Sequence, residues 1–191
     1  MLISPNELKA FRLACAEQTK HREGCAELDP SNRADLLNHL LGLDQRERNS
    51  RFQCGASNAF ITRYFLGINW QRHLAIAWRK SNLVIGMAEL ALPKKSWRQL
   101  ELAISVAPYS DADHVRRRLI QAACVAAQNH GTAEIIMWFG NDEEWVPQLV
   151  RECGGTVDRH RQMAVILLSD IEKALSIGIG ARRREVGIGV A

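Results

Sequence analysis

One stretch constrains the fold of this chain more than any other. RQLELAISVA (98–107) reads as a strand, residues 115–130 as a helix with an alanine-rich middle that stops at Gly131, and AEIIMWF (133–139) as a second strand. A helix between two strands is the crossover that a parallel pair requires. The pattern therefore predicts that 98–107 and 133–139 are parallel neighbours, splayed apart at their C-terminal ends around a cleft. HLAIAWRK (73–80) and LVIGMAELAL (83–92) precede this unit, divided from each other by Ser81-Asn82 and from the next strand by PKKS. They read with 98–107 as antiparallel neighbours. After the unit, 142–153 reads as a helix and 156–168 as two strands split near Arg159–Gln162. The fold class predicted is α+β, a mixed and mostly antiparallel sheet flanked by helices.

The N-terminal third reads differently. Ser4, Pro5 and Glu7 form a capping box for a helix running to about Gly24. LDPSNR is a turn, and Leu36, Leu37, Leu40, Leu41 and Leu43 give residues 32–43 a helical apolar face. A third helix starts at Ser57 and carries Phe60, Ile61, Tyr64 and Phe65. Only helix is expected in the first 30 residues. The division predicted is a helical extension over 1–31, serving dimerisation or as a lid, a domain over 32–170, and a tail over 171–191. In the tail Gly178, Gly180, Gly187 and Gly189 alternate with apolar residues around ARRRE. A mobile tail and a partner-dependent hairpin both suit that pattern, since glycine weakens strands.

Composition narrows the functional classes. The 191 residues are 47% hydrophobic and 24% charged, which suits one domain with a real core. No run has the length of a membrane span, and the start lacks a secretory signal, so the cytoplasm is the expected location. The five cysteines (15, 25, 54, 124, 153) form no C-x-x-C pair, and the six histidines show no ligand spacing, so no disulfide framework or metal site is expected. The net charge of +4 is mild. The basic clusters at 20–22, 159–161 and 182–184 gather into no visible stripe, so nucleic acid is not expected as a partner.

The turn after the strand at 98–107 reads VAPYSDADHVRRR (106–118). A strand leading into a helix N-terminus is a usual phosphate-cradling position, and such loops use glycine so that bare N–H groups can approach. This loop has no glycine. Asp111 and Asp113 precede the helix, where an aspartate caps the N–H donors a phosphate needs. Arg116, Arg117 and Arg118 return positive charge, but about 100° apart per residue they cannot all converge.

With these elements in place, the chain resembles the GNAT acetyltransferase superfamily. LGLDQRERNSRF (41–52) is similar to an L-x-x-D…R-x-x-RF pattern of one bacterial branch. The likeness continues through VIGMAEL, LELAISVAP, the following helix, and the strand at 133–139 leading to Asn141, and ends at Gly154-Gly155. It covers about two-thirds of the chain, with its strongest part from Glu101 to Gly131. The resemblance implies acyl transfer from acetyl- or another acyl-coenzyme A to an amine, of a small molecule or a protein, with no metal. A homodimer fits it too. Carried over by position, it assigns Ile104, Ser105 and Val106 to the pantetheine arm. Asp111, His114, Arg116 and Arg117 fall to the pyrophosphate loop, His114 and Arg116 at glycine positions, and Asn141 to the coenzyme. It implies Glu101 as the base, with Glu89 second. Val150 stands where the family usually has an acidic tyrosine, Gly155 where phenylalanine is common, and Pro147 lies inside that helix. Trp138 and Trp145 flank the cleft.

Two readings stay open from the sequence. One is an acyltransferase with a degenerate coenzyme site that binds acetyl-coenzyme A weakly or not at all. The alternative is a non-catalytic module of the same fold that binds a metabolite or a partner protein.

Overall fold

A computed structural model describes residues 23–81, 83–93, 98–108, 111–141 and 143–169. The elements in chain order are β1 (Gly24–Glu27), α1 (Ala34–Gly42), α2 (Gln45–Phe52), α3 (Asn58–Leu66), β2 (His73–Lys80), β3 (Leu83–Ala91) and β4 (Gln99–Val106). They continue as α4 (Ala112–Asn129), β5 (Glu134–Trp138), α5 (Trp145–Glu152), β6 (Thr156–Asp158) and β7 (Met163–Leu167). The strands form one sheet in the order β1-β2-β3-β4-β5-β7-β6. Among the described strands only β4 and β5 pair in parallel, and α4 is their crossover. The α+β class, the mostly antiparallel sheet and the parallel pair at its centre all agree with the sequence.

The start of the chain requires a correction. Gly24–Glu27 is not helical: it is the edge strand β1, paired antiparallel with β2 from Gly24↔Arg79 to Glu27↔Ile76. Helix alone over the first 30 residues is thus wrong at its end. The capping box at Ser4 and the glycine-rich tail lie outside the described residues. Helix α2 is an addition, since the sequence gives Gln45–Phe52 no apolar periodicity and none of its residues is buried.

Helices cover both faces of the sheet. On one, α4 buries Val115, Leu119, Ile120, Ala123, Cys124 and Ala127, an i, i+4 stripe. With Val146, Leu149 and Val150 of α5 it covers Leu100, Leu102, Ile104 and Val106 of β4. On the other, Leu36, Leu40 and Ile61 from α1 and α3 pack on Ala75, Ala77 and Met87. Helix α4 begins three residues earlier than expected, because Asp111 caps it, and ends at Gly131, whose φ of +70° suits only glycine well.

The β4–β5 ladder is short. It runs Gln99↔Glu134, Leu100↔Ile135 and Glu101↔Ile136, and then stops. Strand β4 continues to Val106 and β5 to Trp138 without pairing each other. On its other side β4 stays bonded to β3. Ala107 N–H donates to Ile85 O at 2.7 Å, and the register sets Met87 opposite Ser105. By the alternation of an antiparallel ladder, the peptide groups of Ile104 and Val106 then point away from β3, into the gap.

Candidate active site

Two cavities flank this divergence. The first, about 700 Å³, lies among α2, the end of β4, the start of α4 and the loop after β5; Glu47, Ala107, Arg116, Asn141 and Trp145 line it. The second, about 460 Å³, runs beneath α2 along the sheet; Phe52, Tyr64, Glu89, Glu101, Ile104 and Trp138 line it. Ser50, Gln53, Glu143 and Trp145 border both, so the two meet.

Glu101 sits where the parallel ladder ends. It is half-buried between the buried Leu100 and Leu102, and Trp138 Nε1 donates to its Oε1 at 3.3 Å. Glu89 is bound much more tightly. Arg51 Nε and Nη2 donate to its Oε1 at 3.0 and 2.7 Å, and Tyr64 Oη donates to Oε2 at 2.8 Å. His73 Nε2 lies 3.1 Å from the same Oε2. Burial alone would raise the Glu89 pKa, but the Arg51 charge and the His73 hydrogen bond reverse this and bring it down to about 2. Burial together with the Glu89 charge pushes the Tyr64 hydroxyl well up. Glu89 is therefore a carboxylate held ionised at the floor of the second cavity.

The L-x-x-D…R-x-x-RF pattern has a local explanation. Asp44 caps α2 by accepting from Glu47 N–H at 2.9 Å. Arg48 donates to the carbonyls of Leu41, Leu43 and Ala56, fastening the turns on either side. Arg51 reaches Glu89, and Phe52 packs edge-on against Phe60 and Tyr64. A helix with no apolar stripe is thus held by charged side chains that bond backbone and buried acid.

The coenzyme residues implied by the resemblance fall into separate places. Ile104 and Val106 turn peptide groups to the gap, whereas Ser105 has its backbone in the β3 ladder and its hydroxyl 3.0 Å from His39 Nε2. Asp111 accepts from His114 N–H at 3.3 Å, the self-capping expected from the sequence. His114 is exposed and leans on Trp78 in β2, with ring centroids 5.7 Å apart, so it is not brought to the cleft. Arg116 does reach it: its guanidinium lies 4.6 Å from the Trp145 ring centroid, and Nη2 is 2.9 Å from Glu47 Oε1. Arg117 turns to Glu152 on α5 at 2.8 Å, and Arg118 bonds Gln121 at 3.4 Å. The three arginines diverge as the helix pitch requires. Asn141 lines the first cavity and accepts from Gln162 Nε2 at 2.7 Å.

The tyrosine position is closed. Val150 is buried in the core, and a Cβ on Gly155 would meet its Cγ1 at 2.5 Å and Val165 O at 2.6 Å. Pro147 lies in the first turn of α5, where its missing N–H costs no bond. Burial raises the Cys153 thiol pKa, which suits a packing role. Among the described residues, no cluster of His, Cys, Asp and Glu is arranged to hold a metal, and no helix is long and apolar enough to cross a membrane.

Sequence reasoning missed Glu47, Ser50 and Glu143. Glu143 is buried and accepts from Gly140 N–H at 2.6 Å, from the Ser50 hydroxyl, and from Gln53 Nε2 at 3.4 Å. The one available signal was spacing: 47, 50 and 51 share a helix face.

No protein-family model and no curated protein matches the sequence. Solved structures do match by shape. The GNAT domain of S. lividans PAT aligns with a TM-score of 0.60 at 11% identity, covering 74% of this chain and 86% of that one. Spermidine N-acetyltransferase from Vibrio cholerae, solved with CoA and spermine, gives 0.60 at 18% identity, covering 76% and 95%. An N-acetyltransferase from Staphylococcus aureus Mu50 gives 0.59 at 12% identity, covering 76% and 99%. Over about three-quarters of its length, the chain has the fold of the GNAT N-acetyltransferases.

Proposed function

We propose that this chain is an acyltransferase that moves an acyl group from coenzyme A to an amine, with Glu101 as the base. The observation that carries the reading is the position of Glu101. It stands at the residue where the β4–β5 ladder stops, inside a cavity, with its carboxylate oriented by Trp138. The residues fit a coenzyme arm in part. The outward peptide groups of β4 suit pantetheine, and Arg116 on Trp145 suits an anionic group, while the Asp111 cap withholds the His114 N–H that a glycine loop would offer. When bound, acyl-coenzyme A supplies an activated acyl carbonyl. The protein holds the amine in the second cavity, and Glu101 takes its proton directly or through one water. Glu89 is set aside as a base, because Arg51, Tyr64 and His73 already bond its oxygens.

The test is thiol release from acetyl-coenzyme A across a panel of polyamines, aminoglycosides and peptide amines. With the amine that reacts best, Glu101→Gln should lower turnover by about 10²–10⁴-fold, the usual contribution of a base, and leave coenzyme affinity nearly unchanged. Unchanged turnover overturns the role of Glu101. The Asp111 cap is the observation that favours the alternative, a non-catalytic binding module. That reading predicts no thiol release with any amine.

A further inference from the structure

Helix α2 turns one polar face to both cavities. Glu47, Ser50 and Arg51 are three and four residues apart and so lie side by side. Glu47 reaches the first cavity, Ser50 bonds Glu143 on the border between the two, and Arg51 bonds Glu89 in the second. The contacts of Glu47 set it apart. Its Oε2 accepts from Val106 N–H at 3.4 Å, and its Oε1 accepts from Arg116 Nη2 at 2.9 Å. One carboxylate thus joins a strand N–H that points out of its ladder to an arginine stacked on an indole. Both donors suit an incoming ligand's acceptor and anionic groups, and Arg116 also reaches Asp113 Oδ1 through Nη1 at 3.4 Å. The Glu47 and Arg116 side chains are only 16% and 13% exposed, so solvent screens their attraction less than at an open surface.

We propose that Glu47 is an internal competitor of the coenzyme. Its carboxylate occupies Val106 N–H and Arg116, and the coenzyme's polar arm must displace it to use either donor. The displacement pulls on α2 and is felt at Arg51 and Ser50, in the acceptor cavity. The proposal rests on the acyltransferase reading, and it adds an autoinhibitory contact to that site.

Calorimetric titration with coenzyme A tests it on the wild type, Glu47→Gln, Glu47→Asp and Arg116→Gln, with the Val106 amide resonance followed in parallel. Glutamine removes the competing charge, and aspartate keeps it but is too short to span both donors. Either folded variant suffices. Glu47→Gln should bind at least about tenfold more tightly, the order expected for loss of one charge-assisted hydrogen bond. Glu47→Asp should gain less, Arg116→Gln should bind more weakly, and the Val106 resonance should move in both Glu47 variants before coenzyme is added. Equal or weaker binding by the Glu47 variants, beside a wild type that does bind, overturns the competition and leaves the acyltransferase reading standing. No binding by any variant overturns both.

Discussion

His39 and Arg51 show how much a single side chain sets here. His39 is buried against Ser105, and burial holds its pKa down to about 4 from an ordinary 6.5, with the Glu89 charge pulling the other way. A base with a depressed folded pKa binds fewer protons folded than unfolded between those values. Stability is therefore full above pH 6.5 and falls as pH drops toward 4, by up to roughly 3 kcal/mol. Urea titrations at pH 7, 5.5 and 4.5 should show that loss, and His39→Gln should flatten it over this interval. Glu89 has the opposite chemistry and a lower window. Its depressed pKa contributes stability that is present above about 4.5 and lost as pH falls toward about 2. Removing its cation is a harsher test. Arg51→Met leaves a fully buried carboxylate with only Tyr64 and His73, and should cost about 3–5 kcal/mol. Arg51→Met with Glu89→Leu should recover much of it; no recovery would mean that Arg51 acts mainly through packing.

Elements differ in how far their residues announce them. The crossover unit was legible, because a buried helix must repeat its apolar residues every three to four positions and α4 does so from Val115 to Ala127. Helix α2 was not, because polar hydrogen bonds rather than apolar burial hold it, and their partners, Glu89 and Glu143, lie about 38 and 93 positions away in sequence. Strand β1 was hidden for another reason. It is four residues long, at the sheet edge, and its pattern of half-buried then exposed residues shows no alternation. The site divides in the same way. The self-capping of Asp111 follows from its place before a helix, Glu101 is a candidate through the resemblance alone, and pairing across the cleft appears only with coordinates. Asp111 offers a test at this scale. Asp111→Ala should destabilise α4 by about 1 kcal/mol, the usual value of an N-cap, whereas Asp111→Asn should keep the cap. Coenzyme affinity should rise in both if the aspartate charge repels the pyrophosphate. A rise in the alanine variant alone would instead assign the effect to the His114 N–H that the cap occupies.

Across the whole molecule, α2 borders both cavities and ties three parts of the sheet together. It touches the β4 end through Glu47, the loop after β5 through the Ser50–Glu143 contact, and β3 through Arg51 and Glu89. On the proposed function, a movement at the Glu47 end of this helix alters the second cavity unless these bonds break. Coenzyme and acceptor should therefore bind with a coupling free energy, and linkage requires each to change the other's affinity by the same factor. The measurement is coenzyme affinity with and without a saturating concentration of the amine that the panel selects, then amine affinity with and without coenzyme. In the wild type the two ratios should agree, at roughly fivefold or more. Ser50→Ala removes one link and leaves Glu143 with Gly140 N–H and Gln53, so the fold should survive while the coupling shrinks. Glu47→Gln should also shrink it, because coenzyme then no longer has to shift the helix on entering. A wild type with no coupling, or a coupling indifferent to both substitutions, would show that α2 only roofs the cleft and carries no signal between its halves.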